Sequence, residues 1–485
     1  MILKICKGFL FLFILSGQAY TQQKIASAPK PVFPLPTEEQ MQWHEMETNA
    51  FIHFTTNTFT GLEWGYGDEK ESIFNPTALD TRQWAKILKE TGFKALILTT
   101  KHHDGFCLWP SQYTEHSIKN SPYKNGKGDL VKETANAAKK YGLKFGVYLS
   151  PWDRNHPEYG RPAYLDYYRK QLRELFTNYG PIFEMWFDGA NGGDGYYGGS
   201  REIRKIDAVN YYDWPKTLDI VRQIQPKVIF FSDAGPGVRW VGNERGIAGE
   251  TNWNTISTDT LHAGKSGISD LLNSGSADGT KWVPAEVDVS IRPGWFYHAN
   301  EDAKVKTAEQ LFEIYLTSVG RGSTLLLNIP PDQRGLFHPR DIESLKAYKK
   351  ILDTEFAVNI AKNASVSVSS TRLNAANYSG QMITDGDKNT YWTTDNDLNT
   401  GSFEIDLGKT KPVKYILLQE YIRLGQRVKA FSVDVWKNDT WQNIASATTI
   451  GYKRILRMEP VITSKIRINI NDSKACPLIS NVEVY

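Results

Sequence analysis

Asp188 closes the run Phe183-Glu184-Met185-Trp186-Phe187 and is followed at once by Gly189. An apolar, aromatic run that ends in a carboxylate and a glycine reads as a buried strand delivering a side chain to the rim of a pocket. Desolvating a carboxylate there costs free energy, so the residue needs a partner or a task. A second carboxylate, Glu244, stands in Arg239-Trp240-Val241-Gly242-Asn243-Glu244. Paired carboxylates around an oxocarbenium-like transition state are the equipment of glycosidic bond hydrolysis. Three histidines, His53, His102 and His103, end or follow other apolar runs. A neutral imidazole offers one donor and one acceptor, as sugar hydroxyls require. His102-His103-Asp104 also offers metal ligands, but adjacent residues on a strand point to opposite faces and rarely share one ion.

The elements that must position these groups alternate. Between about residues 50 and 350, short apolar runs at 50–54, 95–99, 145–149, 182–186, 228–231 and 324–327 are separated by amphipathic stretches. The runs are continuous, which suits strands covered on both faces in a parallel sheet. One helix is expected from a cap at Asp129 to a stop at Gly142, with Leu130, Val131, Thr134, Ala137, Ala138 and Tyr141 on one face. Another is expected from Asp80, burying Trp84, Ile87 and Leu88 and stopping at Gly92. Repeated strand–helix units over this length predict a (β/α)8-type barrel, whose active site lies just beyond the strand ends. The competing doubly wound sheet usually carries a glycine-rich phosphate loop after its first strand, and residues 55–61, Thr-Thr-Asn-Thr-Phe-Thr-Gly, have no such pattern. Beyond residue 355 the pattern turns to short alternating runs at 364–369, 402–408, 413–418, 431–436 and 465–470, which predict an all-β sandwich.

Lys4 and Lys7 precede an apolar run at 8–15, and small residues follow at Ser16, Gly17, Ala19 and Thr21. This resembles a secretory signal peptide over residues 1–21 and predicts an exported chain, periplasmic or secreted, with no membrane span once mature. A net charge of +3 gives no reason to expect nucleic acid as a partner. Beyond Cys6, only Cys107 and Cys476 remain, which excludes a disulfide framework. Fourteen tryptophans and twenty-four tyrosines are compatible with stacking on sugar faces.

An ordered set of motifs carries a family resemblance. Phe51-Ile52-His53-Phe54, Thr100-Lys101-His102-His103-Asp104-Gly105-Phe106, Tyr148-Leu149-Ser150-Pro151-Trp152-Asp153, Met185-Trp186-Phe187-Asp188-Gly189 and the stretch from Trp282 to Phe296 resemble glycoside hydrolase family 29, the retaining α-L-fucosidases. The resemblance implies that Asp188 is the nucleophile and Glu244 the acid/base, with Glu250 and Glu286 as rivals for the second role. It implies that His53, His102, His103, Tyr148 and Trp186 contact the sugar and that Trp295 borders its methyl group. Asn57, Glu63, Trp64, Trp152 and Asp153 lie in loops expected to face the aglycone. No catalytic metal or cofactor is implied, and the expected partners are fucosylated oligosaccharides or glycoconjugates. The Gly242-Asn243-Glu244 and Arg292-Pro293-Gly294-Trp295-Phe296 contexts resemble the subfamily acting on branched α-1,3/1,4-fucosides of Lewis type. A glycan-binding protein on a hydrolase scaffold and a hydrolase of another sugar are the alternatives.

The expected domains are a signal peptide at 1–21, a catalytic barrel at 30–354 and a sandwich at 355–485. The last, through Ile383-Thr384-Asp385-Gly386-Asp387 and Thr390-Tyr391-Trp392, resembles discoidin-like, galactose-binding-like modules. That resemblance implies a structural Ca²⁺ at Asp385, Asp387 and Thr390. Asn481 stands where an acidic residue often completes the site, and a plain turn is the alternative.

Overall fold

A computed structural model describes residues 26–485; the predicted signal peptide lies outside the described residues. Eight parallel strands close into a barrel in sequence order. They are β1 (Thr48–Ile52), β2 (Ala95–Lys101), β3 (Lys144–Leu149), β4 (Glu184–Trp186), β5 (Ile229–Ser232), β6 (Val238–Trp240), β7 (Ala285–Ser290) and β8 (Thr324–Asn328). β8 returns to pair with β1, Ala50 lying opposite Leu327. Helices α1 (Glu38–Met46), α2 (Thr81–Glu90), α3 (Leu130–Tyr141), α4 (Pro162–Asn178), α5 (Trp214–Ile224), α6 (Ala308–Thr317) and α7 (Pro339–Glu355) surround it. The predicted caps are present. The Asp129 carboxylate accepts from Lys132 N, Gly142 adopts the left-handed conformation that ends α3, and Asp80 caps α2 by accepting from Arg82 N.

Two strands are missing from the sequence-based expectation, each for a physical reason. β7 alternates. Val287 and Val289 join the apolar layer beneath the helices, while Glu286, Asp288 and Ser290 bond to groups inside the barrel. Its inner face is polar, so it shows no continuous apolar run. β6 is short and turns Arg239 outward. Moreover, no helix joins β5 to β6. Residues 233–237 make the whole connection. Arg239 is fully buried where a covering helix would present apolar side chains, and its guanidinium bonds to the carbonyls of Leu272, Val283 and Trp253. An irregular covering segment has carbonyls to satisfy, and an arginine supplies five N–H donors for them.

Beyond α7 the chain forms β9 (Ser365–Val368), β10 (Trp392–Thr393), β11 (Gly401–Glu420), β12 (Val428–Lys437), β13 (Thr440–Ala447), β14 (Arg454–Ser473) and β15 (Leu478–Val484), all antiparallel. The runs expected at 402–408 and 413–418 are one strand, β11, bent by register shifts after Asp406 and after Val413. The sandwich has its own core around Phe403, Ile416, Phe431, Val433 and Ile468. It also lends Tyr415, Leu417 and Ile455 to the barrel's outer core, where Tyr415 meets Phe312 and Phe356. Cys107 and Cys476 are both buried and free.

The Asp-Gly-Asp turn is closed by its own hydrogen bonds. Asp385 accepts from Asp387 N at 2.8 Å and from the Thr390 hydroxyl at 2.8 Å, and Asp387 accepts from Asn389 N at 2.9 Å. Asn481 donates its amide to Gln419 and Glu483. These residues fit a self-capped turn better than a calcium cage, which needs six to eight oxygens and usually several carboxylates. Among the described residues no helix is long and apolar enough to cross a membrane.

Candidate active site

His53, His102, His103, Tyr148, Trp186 and Asp188 converge at the C-terminal ends of β1 to β4, while Glu244 and Trp295 lie on the segments that follow β6 and β7. Asp188 follows β4 and is a quarter exposed. Its Oδ1 accepts from Ala190 N at 2.7 Å, which fixes the carboxylate plane. Its Oδ2 accepts the Tyr148 hydroxyl at 3.1 Å and faces His103 Nε2 at 3.9 Å. Burial and the charge of Asp188 push the Tyr148 phenol well above its usual range, so it remains a donor. Gly189 lets Asp233 approach closely: a Cβ there would lie 2.2 Å from Asp233 Oδ2 and displace that carboxylate.

The hydrogen-bond network assigns the histidine tautomers. Ser150 gives its hydroxyl proton to Trp152 O, so its oxygen accepts from His103 Nδ1 at 2.7 Å. Asn328 donates its amide to Ser290 Oγ and Trp295 O, so its Oδ1 accepts from His53 Nδ1 at 2.8 Å. Burial lowers His53 to about 3 and His103 to about 4. Both rings are therefore neutral at neutral pH with Nε2 as a bare acceptor, the form that receives a sugar hydroxyl. His102 lies between them, 4.2 Å from the His103 ring and stacked on Tyr148 at 5.7 Å. Burial, with His103 and His53 nearby, holds it neutral too.

Asp104 turns away from this group and accepts from the Thr55 and Thr56 hydroxyls at 2.8 and 2.7 Å. The His-His-Asp run thus does not converge on one point. Among the described residues no cluster of three or more His, Cys, Asp or Glu side chains has metal-binding geometry.

The three candidate proton donors separate by position. Glu286 is fully buried, accepts from Trp186 Nε1 at 3.0 Å and faces Glu184 inside the barrel; burial holds both carboxyls high. Glu250 sits beside the sandwich, bonded to Arg321 at 3.3 Å. Glu244 alone of the three is raised in part by the charge of Asp188, behind the larger effect of burial, while the Trp295 indole opposes the rise. On the loop after β6 its side chain is open to solvent on one side, and the neighbouring Trp295, Asp188 and Glu63 crowd it on the other.

Trp186 is the floor rather than the wall of the pocket. Its ring lies flat on Phe231 at 3.8 Å and its N–H points down to Glu286. Trp295 is partly open, 5.2 Å from the His53 ring. Three loop expectations are corrected. Asn57 is fully buried and donates its amide to Glu63 O at 3.2 Å. Asp153 does not face the mouth: it is buried in an ion pair with Lys101 at 3.0 Å. Trp152 is buried as well, giving its N–H to Tyr197. Trp64 does reach the surface, half exposed and edge-on to His103. Glu63 braces the Trp295 loop, accepting from Trp295 N at 2.8 Å and from His298 at 2.6 Å.

Sequence reasoning missed Ser150 and Asn328 as orienting partners and Asp233 beside Asp188. Each ends a strand or follows one directly, and that position is the signal by which they were findable. Burial, with a smaller push from Asp188, raises Asp233 to about 6.

A closed eight-stranded barrel with ionisable and aromatic groups gathered past its strand ends is a barrel enzyme built for a hydroxyl-rich ligand. The family model described as alpha-L-fucosidase matches residues 20–355, and that for the F5/8 type C domain matches 365–482. Alpha-L-fucosidase 1 of Arabidopsis thaliana is 40% identical over 487 residues, covering 98% of this chain and 93% of its own. A glycoside hydrolase 29 family member from a rumen bacterium superposes with a TM-score of 0.84 at 46% identity, over 94% of this chain and 78% of that one. A Ruminococcus gnavus family 29 fucosidase solved with fucose gives 0.86 at 33% identity, over 96% and 97%. The chain belongs to glycoside hydrolase family 29 and is an α-L-fucosidase, with a discoidin-like sandwich at its C-terminus.

Proposed function

We propose that this chain is a retaining exo-α-L-fucosidase in which Asp188 is the nucleophile and Glu244 the acid/base. One observation carries the reading. Asp188 is held by the Tyr148 hydroxyl and a backbone N–H beside neutral imidazoles, and Glu244 is the candidate donor that senses its charge. Asp188 would attack the anomeric carbon, the C–O bond to the aglycone would break, and Glu244 would protonate the leaving oxygen. Glu244, now ionised, would take a proton from water as that water displaces Asp188 from the fucosyl-enzyme. The bare Nε2 atoms of His53 and His103 would accept fucose hydroxyls, and Trp295 offers an apolar edge for the methyl group. The Ruminococcus enzyme holds fucose, which supports the choice of sugar.

The preferred substrate is fucose linked α-1,3 or α-1,4 beside a branching galactose. Exposed aromatics at the mouth, Trp64 and Tyr66, offer surface to a second sugar, and binding energy there can be spent on the transition state. The chain is exported, on the strength of its first 21 residues. The test compares kcat/KM for a Lewis trisaccharide, an α-1,2-fucosyl disaccharide and an aryl fucoside, with the anomer first released read by NMR. Faster cleavage of the trisaccharide with α-fucose released first is expected. Preference for the α-1,2 compound or for the aryl fucoside overturns the linkage, and β-fucose overturns the double displacement.

A further inference from the structure

The loop that carries Glu244 rests on a segment whose other side is held by the sandwich. Leaving β6, Val241 O and Ile247 O both accept from Asn273 Nδ2, at 3.1 and 3.0 Å. Gly242 lies against the backbone of Ser269, where a Cβ would meet the Ser269 carbonyl at 2.4 Å. Gly246 O accepts from Thr317 and Ala248 O from Arg321. The chain then enters residues 250–254, which the sandwich holds on one side and Arg239, Arg321 and Ser323 of the barrel hold on the other.

Those anchors are specific. Gln426, 2% exposed, accepts from Asn254 N at 2.8 Å and Asn254 Nδ2 at 3.0 Å, and it donates to Asn252 O at 2.9 Å. One amide thus saturates three partners across the interface. Thr449 Oγ1 accepts from Asn252 N at 2.9 Å, and Arg454 donates to Glu250 O at 2.6 Å. Asn252 in turn accepts from Arg239 at 3.3 Å and donates to Arg321 O and Ser323. Arg239 also reaches Trp253 O, Leu272 O and Val283 O. The guanidinium therefore ties the strand immediately before the Glu244 loop to the segment that the sandwich holds. Its charge has no carboxylate beside it, and burial alone lowers it to about 9. The site is a rigid frame of carbonyls, not an ion pair.

We propose that the sandwich belongs to the catalytic apparatus: Gln426 is a positioning residue that fixes Asn252 and Asn254 and, through Asn252 and Arg239, sets the loop that aims Glu244. The inference rests on the reading of Glu244 as acid/base. It predicts a defect confined to proton donation, because Asp188, the histidines and Tyr148 stand on β1 to β4, which share none of these bonds.

The experiment uses the full chain and a series of aryl fucosides whose leaving groups run from dinitrophenol to phenol. kcat/KM reports formation of the fucosyl-enzyme. General acid catalysis is worth roughly 10²–10⁴-fold when a leaving group needs protonation and little when it does not. Gln426→Ala is expected to slow phenyl fucoside by about tenfold to a hundredfold, a part of that range, while sparing the dinitrophenyl compound within about twofold. Thr449→Val, which removes one bond to Asn252, should show the same selectivity more weakly and serves if Gln426→Ala does not fold. Gln426→Asn, which keeps the amide, should recover part of the loss. Equal slowing of every substrate, or none, in the folded variants overturns the inference. Glu244→Ala in the same series separates the two readings. If it is selective and the Gln426 and Thr449 variants are not, only the positioning role falls. If it is itself unselective, the acid/base reading falls.

Discussion

The Tyr148 hydroxyl and the Asp188 carboxylate lie 3.1 Å apart, with the phenol as donor. The bond holds one carboxylate oxygen while leaving the residue a quarter exposed, open to an incoming anomeric carbon. Tyr148→Phe should reduce kcat/KM by about tenfold to a hundredfold, in line with loss of one positioned donor. The melting temperature should change little, since the ring keeps its packing on Trp186 and His102. Steady-state kinetics beside a thermal melt checks this; unchanged kcat/KM would show the bond to be incidental.

Asp188→Ala and Asp188→Asn should lower turnover by several orders of magnitude in folded protein. Removing this charge should also let Glu244 titrate lower, because Asp188 is one of the groups that raises it. Carboxyl titration by NMR in Asp188→Asn reads the second effect. No downward shift would show that the two groups are uncoupled.

Glu244 must be protonated to act as an acid. Burial and nearby charge raise its carboxyl, so activity should persist to higher pH than an ordinary glutamate allows. Activity is then lost as pH rises through that value. In Glu244→Gln the alkaline limb of kcat/KM for an activated substrate should vanish. Azide should restore turnover of Glu244→Ala and yield a fucosyl azide. An alkaline limb that survives in Glu244→Gln assigns the proton to another group.

Lys101 and Asp153 form a fully buried pair, with Lys101 also donating to Gln171 at 3.0 Å and lying over the Tyr164, Tyr167 and Tyr168 rings. Asp153 spends its other oxygen on the N–H groups of Asn155 and His156, which fixes the loop after β3. Lys101→Met strands a buried carboxylate and should cost about 3–5 kcal/mol, read by denaturant unfolding. A cost below about 1 kcal/mol, the range of exposed pairs, would contradict this burial.

Chelation should leave the sandwich intact. The carboxylates of Asp385 and Asp387 are already engaged within their turn, and Asn481 is bonded elsewhere. The melting curve should be the same in EDTA and in millimolar calcium. A rise with calcium would show that the turn reorganises around an ion.

Six of the eight barrel strands were legible because their side chains are mostly apolar on both faces, Glu184 of β4 being an inward exception within an otherwise apolar run. β7 was hidden by the acids it turns inward, and β6 by Arg239 on its outer face. The motifs located Asp188, His53, His102, His103 and Tyr148 because strand ends and pocket coincide in a barrel. Asp153 was misplaced because a loop carboxylate reads as exposed until its partner, Lys101, is seen beneath it. The partnership between Gln426 and Asn252 spans 174 residues and two architectures, and no local pattern announces it.

Tyr415, Leu417 and Ile455 of the sandwich complete an apolar layer that otherwise belongs to the barrel. The chain therefore has no seam along which it can be cut into independent cassettes. A gene fragment ending after α7 would encode a barrel with Phe312 and Phe356 stripped of that cover, and a sandwich alone would carry the matching bare face. Exchange of this sandwich for another requires its contact face to be inherited along with it.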